Sequence, residues 1–231
     1  MKMVGKLIED TNHRDKIHIF KDRLHAGKLL AKKLAFNMKD TVLLAIPSGG
    51  VPIGYIISNT LRIDLDLILV RKLQIPWNTE VGFGAISWDG EIVLNENLIF
   101  QLGITEDIIK KVIQETLNVI NLRNKQFRMN RPFPELEEKK VIIVDDGLAS
   151  GYSMLAAIKS VRKRNPKKIT VAIPTASPSS INSLINNVEE IVCINIRSGG
   201  FFAVADAYVD WYDLSDEEVM GFLSKDRNKT S

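Results

Sequence analysis

With 231 residues, 45% hydrophobic and 26% charged, the chain has the composition of an ordinary globular protein and no low-complexity run, which excludes a disordered or fibrous class. Its formal charge of +3, from 31 basic and 28 acidic residues scattered along the chain, suits an anionic small molecule as well as nucleic acid. The N-terminal MKMVGKLIEDTNHRDK lacks the apolar run of a signal peptide, no window approaches about 18 uninterrupted apolar residues, and Cys193 has no second cysteine to pair with; a cytoplasmic location is therefore expected.

In chain order, Phe20 to Phe36 carries apolar residues three or four apart and is expected as the first helix. VLLAI (42 to 46) reads as a strand, Pro52 to Leu61 as a helix, and LDLILV (65 to 70) as a second strand. Residues 76 to 98 break the alternation: an Asp89-Gly90 turn with strand-like flanks predicts a hairpin outside the main sheet. Thr105 to Phe127 is the best-defined helix. Thr105 can cap it, Glu106 and Asp107 occupy its positive first turn, and Ile109, Val112, Ile113, Leu117 and Ile120 form the stripe to be buried.

Three more apolar strands follow, VIIV (141 to 144), ITVAI (169 to 173) and IVCINI (191 to 196), separated by helices at Ser153 to Arg164 and Ser179 to Asn187. Strands that are apolar throughout must be covered on both faces. The alternation therefore predicts an α/β fold, a mainly parallel central sheet flanked by helices, forming one main domain with an appendage. Residues 197 to 213 are glycine-bearing and aromatic, and SDEE (Ser215 to Glu218) is a capping box that starts a last helix. The densest basic cluster, Arg162, Lys163, Arg164, Lys167 and Lys168, falls at a predicted helix end, where cations are favoured. His13, His18 and His25 lack metal-binding spacing, so no zinc site is expected.

The chemistry concentrates in VIIVDDGLASGYS, Val141 to Ser153. A strand that ends in two aspartates, then small residues, then a helix, puts its loop at the carboxyl edge of a parallel sheet, where α/β folds bind ligands. Gly147 and Gly151 open backbone shapes closed to other residues, Ser150 and Ser153 supply hydroxyls, and the helix start supplies free N–H groups for a phosphate. A P-loop would need lysine after its second glycine, where Tyr152 stands, and GFGAIS at Gly82 lacks the third glycine of a dinucleotide fingerprint. Two carboxylates repel a phosphate, so Asp145 and Asp146 point to ribose hydroxyls, a bound cation such as Mg²⁺, or developing positive charge.

This stretch resembles the signature of type I phosphoribosyltransferases that binds phosphoribosyl pyrophosphate (PRPP). AIPSGGVPIG (Ala45 to Gly54) is similar to the family's pyrophosphate loop, and VRK (Val70 to Lys72) to the basic end of its next strand. FKDRLHAGKLLAKKL and FFAVADAYVDWYDLSDEEV resemble a little-characterised branch of that family, and the likeness covers residues 20 to 223. The resemblance implies one domain over 1 to 231, with a hairpin or lid at about 76 to 98 and a hood and tail at about 197 to 231.

It also implies a Mg²⁺-dependent transferase moving phosphoribosyl between PRPP and a nitrogenous acceptor such as a nucleobase. Asp145 and Asp146 would be catalytic, facing the ribose and holding Mg²⁺ directly or through water. Gly147 and Ala149, Ser150, Gly151, Tyr152 and Ser153 would grip the 5′-phosphate. Ser48, Gly49 and Gly50, with Arg71 and Lys72, would receive pyrophosphate, and a cis peptide is expected near Ser48 to Gly50.

The chain departs from the family at three places. Ser48 stands where relatives usually have arginine, Tyr152 replaces a small residue, and Arg197 to Gly200 replaces a proline-rich entry to the tail. Phe201, Phe202, Trp211 and Tyr212 are read as packing before acceptor stacking. Two rivals remain at this stage: a PRPP or nucleotide sensor without catalysis, and a nucleic-acid binder using the cluster around Arg162. Many relatives form homodimers, and neither the acceptor nor the oligomeric state is legible.

Overall fold

The computed structural model describes residues 5–34, 38–129, 131–199 and 201–227. A six-stranded parallel sheet has the order β1-β9-β8-β7-β2-β3, with β1 Lys6–Glu9, β2 Thr41–Ala45, β3 Asp64–Leu67, β7 Lys140–Val144, β8 Lys168–Ala176 and β9 Glu190–Ile196. Helices α1 Arg23–Lys33, α2 Gly50–Leu61, α5 Tyr152–Arg162 and α6 Pro178–Leu184 flank it. Two apolar clusters result, because residues alternate across the pleat: Leu43, Ala45, Ile142 and Val144 join one, Leu44, Val141 and Ile143 the other. Cys193 is buried in the second, and burial pushes its thiol up to about 12, as an inert core residue requires.

The expected strand at 65 to 70 is broken. Backbone pairing stops at Leu67, and β4 Val70–Ile75 begins a second, antiparallel sheet with β5 Asn78–Ser87 and β6 Ile92–Leu94. Val70 to Lys72 therefore open a strand and do not close one. The unbroken apolar run from Leu67 to Val70 hid this, since it spans the end of one strand and the start of the next. The Asp89-Gly90 turn does join β5 to β6, and Phe83, Ala85 and Ile86 of β5 are fully buried. The segment is thus one side of the core as well as a projection, with Trp77, Val81 and Ile92 exposed among its described large apolar side chains.

After α3 Glu96–Leu102 comes α4 Glu106–Arg128, capped by Thr105 as its sequence predicts. The first helix is shorter than expected, starting behind an Asp22 cap, and Phe36 lies outside the described residues. Strand β1, unremarked in the sequence, pairs at the edge with β9. The capping box at 215 to 218 is reciprocal: the Ser215 N–H donates to Glu218 Oε2 at 2.9 Å and the Glu218 N–H to Ser215 Oγ at 3.2 Å. It opens α7 Asp216–Arg227, whose Val219 and Leu223 are buried. Among the described residues, no helix is long and apolar enough to cross a membrane.

The basic cluster is engaged internally. Arg162 pairs with Glu189, Lys163 with Glu91, Arg164 with Asp89 and Lys168 with Glu190. These pairs tie the end of α5 to the hairpin and to β9.

Arg128, only 3% exposed, locks the end of α4 to β3: it pairs with Asp66 and donates to the carbonyls of Leu67 at 3.3 Å and Pro132 at 2.6 Å. Removing one partner of such a pair strands the other's charge and several carbonyls. Arg128→Met is expected to lower stability by about 3 kcal/mol in urea unfolding.

Candidate functional site

Strands β2 and β7 lie side by side in register, Ala45 opposite Val144, so the loops that leave them start as neighbours at the carboxyl edge. The Ile46 N–H donates to the Val144 carbonyl at 2.9 Å and extends that pairing by one residue. The next residues interlock. A Cβ on Gly49 would lie 1.9 Å from Asp146 Oδ2, and one on Gly50 would lie 2.5 Å from the Val144 carbonyl oxygen. Both glycines are needed for close approach. The peptide between Pro47 and Ser48 is cis, in the loop where a cis bond is expected.

A cavity of about 300 Å³ opens over this junction. It is lined by Asp145, Asp146 and Ser153, by Arg71 and Lys72, by Arg123 and by Ser48 and Gly49. Residues from four separate stretches of sequence therefore meet in one space. Gly50 is buried and is the first residue of α2.

The rest of the expected phosphate loop runs outward from the cavity. Ala149 and Ser150 are exposed, Gly151 has the left-handed backbone angle φ of 79° that starts α5, and no side chain caps that helix. Its first N–H groups therefore face the loop without a side-chain acceptor. Gly147 lies against Val204, which a Cβ would strike at 2.6 Å. Tyr152 is half-buried and packs on the second apolar cluster, so its ring supports α5.

The two aspartates differ in their surroundings. Asp146 is held by Arg23 of α1, whose Nε donates to Oδ2 at 3.0 Å and whose Nη2 lies 3.0 Å from the same oxygen as an ion pair. Arg23 also donates to the Tyr212 carbonyl at 2.9 Å and stacks over Trp211 at 4.0 Å. Tyr208 Oη donates to the Asp146 carbonyl at 2.7 Å. Asp145 has no such cation; its Oδ1 accepts the Asp146 N–H at 2.8 Å.

Loss of hydration and the adjacent Asp146 hold the Asp145 carboxyl well above the usual carboxylate range. Asp146 is raised as well by lost hydration, with Arg23 opposing the shift. In the same cavity, burial and the neighbouring Arg123 push Arg71 down from its usual value, though a guanidinium remains charged at neutral pH.

Across residues 13–208 the sequence matches the family model described as "Phosphoribosyl transferase domain". The chain belongs to the phosphoribosyl transferase family. Proteins of two strains of Mycobacterium tuberculosis, named only provisionally as phosphoribosyl transferases, are 33% identical over 208 residues, which is 90% of this chain and 47% of theirs. The chain thus spans about half the length of these curated relatives. Crystalline TT1426 from Thermus thermophilus shares the fold, with a TM-score of 0.72 and 33% identity over 89% of this chain and 98% of that one.

Within this phosphoribosyl transferase fold, two basic residues of the site went unread in the sequence. Arg23 sits one residue after the Asp22 cap, and Arg123 lines the cavity from α4. Each was masked by its helix, where a polar residue reads as a solvated face. The aromatic tail divides as its packing reading predicts for Trp211, which is drawn into the core under Arg23. Tyr212 bonds Glu218 at 2.9 Å, Phe202 lies 5.3 Å from the Arg197 guanidinium, and Phe201 is 90% exposed. Arg197 also bonds Asp206 and the Ala203 carbonyl, so it organises the loop that replaces the proline-rich entry. Gly200 of that loop lies outside the described residues.

The raised Asp145 carboxyl has a consequence for stability. A carboxyl that binds its proton more tightly when folded costs stability as pH rises from the unfolded value, about 3.9, through the higher folded one. Asp145→Asn keeps the acceptor oxygen and removes that cost. In ligand-free, metal-free buffer it should raise the Tm at pH 7, with the difference vanishing below about pH 4.

Proposed function

We propose that this protein is a Mg²⁺-dependent phosphoribosyltransferase that moves the phosphoribosyl group from PRPP to a nitrogenous acceptor and releases pyrophosphate. The observation that carries this reading is the single cavity that Asp145, Asp146 and Ser153 share with Arg71, Lys72, Ser48 and Gly49. Its carboxylates favour positive charge and its cations negative charge. A ribosyl transfer that passes through a cationic C1 between anionic groups needs both.

In the proposed reaction the bond from C1 to the pyrophosphate oxygen breaks with its electron pair leaving on pyrophosphate, and a nitrogen lone pair forms the new C1–N bond. Asp145 and Asp146 accept hydrogen bonds from the ribose hydroxyls, and their charge stabilises the positive centre as it develops. The N–H groups at the start of α5, with Ser150 and Ser153, hold the 5′-phosphate. The loop Ser48, Gly49 and Gly50, with Arg71 and Lys72, receives the pyrophosphate. Held at both ends, PRPP presents one face of C1 to the acceptor, which is most of what positioning can contribute.

The residues fit a divalent cation. Asp145 and Asp146 are hard oxygen donors, and Arg23 offsets only one of their two charges, leaving the pair raised. The described residues hold no group of three or more metal-ligating side chains, so such an ion would take its remaining ligands from PRPP oxygens and water. When bound there it would neutralise charge on the departing pyrophosphate.

The missing arginine at Ser48 favours a second reading, a PRPP sensor without turnover. One experiment separates the two. Release of pyrophosphate from PRPP and Mg²⁺ is measured over a panel of nucleobases, beside calorimetric binding of PRPP. Turnover with at least one base is expected, and Asp146→Asn should lower kcat by about 100-fold or more. Binding without turnover for every base would give the sensor reading, and no binding would remove both.

A further inference from the structure

We propose that Arg123 is a further cation of the pyrophosphate pocket beside Arg71 and Lys72, taking the place of the arginine that Ser48 lacks, and that Asp216 is its resident counter-ion, exchanged for the ligand. This rests on the reading of the cavity as a pyrophosphate-releasing site. Three observations carry it.

The first is placement. Arg123 lines the same cavity as Ser48, Arg71 and Asp146, although it belongs to α4 and to no recognisable motif. Helix α4 packs against β4, so Arg123 and Arg71 are presented from facing elements.

The second is electrostatic. Arg71 and Arg123 are close enough for one to disfavour the other's charge, and Arg71 is itself half-buried. Two guanidinium groups brought together in a half-buried pocket repel each other unless an anion lies between them. Pyrophosphate, with several negative oxygens, suits a pair of planar forks better than a single carboxylate does.

The third is the state of Arg123 without ligand. Its Nη2 lies 2.8 Å from Asp216 Oδ1, and the two side chains are 26% and 30% exposed. A pair this open to water is weak and can be exchanged. Asp216 loses little on release, since it sits in the first turn of α7, where a carboxylate is favoured by the helix dipole. Ligand binding would then move Arg123 from α7 into the cavity.

The test is calorimetry with inorganic pyrophosphate and Mg²⁺ on the full chain. Arg123→Met should weaken binding about tenfold or more, and Arg123→Lys by less, because it keeps charge and loses the fork. Asp216→Asn should tighten binding severalfold, because it removes the competitor. A purely structural pair would move both variants the same way, with lower Tm and unchanged affinity. Unchanged affinity in both Arg123→Met and Arg123→Lys, or weakening in Asp216→Asn equal to that in Arg123→Met, overturns the proposal and leaves the transferase reading standing. Failure of the unmodified protein to bind either pyrophosphate or PRPP removes that reading and this one together.

Discussion

The site depends on the ion pair between Arg23 and Asp146. Two adjacent carboxylates at the end of a buried strand resist dehydration, and Asp146 raises the proton affinity of Asp145 further. Arg23 offsets this with a hydrogen bond and an ion pair to one oxygen of Asp146. Such a pair stays ordered only if the cation is itself fixed, and here the Trp211 ring and the Tyr212 carbonyl fix it. Early and late parts of the chain are thereby recruited to a loop in its middle. The tail from Tyr208 to Tyr212 is thus a brace for the acid loop: Tyr208 stacks between Phe20 and Trp211 and bonds the Asp146 carbonyl.

A second constraint follows from the first. With Asp146 held in place, the neighbouring loop can pass only if it lacks a side chain at 49, and its next residue must clear the Val144 carbonyl. The glycines at 49 and 50 therefore answer to the aspartates and the β7 backbone. Parallel pairing of β2 with β7 makes the encounter unavoidable, because it starts both loops at one level of the sheet. The loop after β7 and the loop after β2 pack as one unit.

Most of this was legible in local sequence. Four of the six main-sheet strands are built on apolar runs, and the two loops carry dense motifs whose residues act on their immediate neighbours. The failures share one physical cause, which is dependence on distant partners. The break at Ile68 and Leu69 is invisible because the apolar run from Leu67 to Val70 passes through it; what changes is the sheet that each half joins. Edge strand β1 is short and half-exposed, so it has no apolar run to betray it. Arg23 and Arg123 sit on helices among other polar residues and gain meaning only from partners far along the chain. The cluster around Arg162 shows the converse: its charge density suggested a binding surface, yet its acidic partners, Asp89, Glu91, Glu189 and Glu190, are brought to it by the hairpin and β9.

The absence of arginine at Ser48 acquires a rationale from the same geometry. That residue adjoins Gly49, which touches Asp146, so a guanidinium there would lie within reach of the carboxylate that Arg23 already holds. Competition between two cations for Asp146 would loosen the brace that joins the chain's ends. Cations delivered from β4 and α4 reach the same cavity without replacing a residue of that loop. On the proposed reading the pair of Arg123 with Asp216, partly exposed to water, opens when the ligand arrives. There the exchange of a carboxylate for a pyrophosphate oxygen costs least, and it couples the state of the pocket to helix α7.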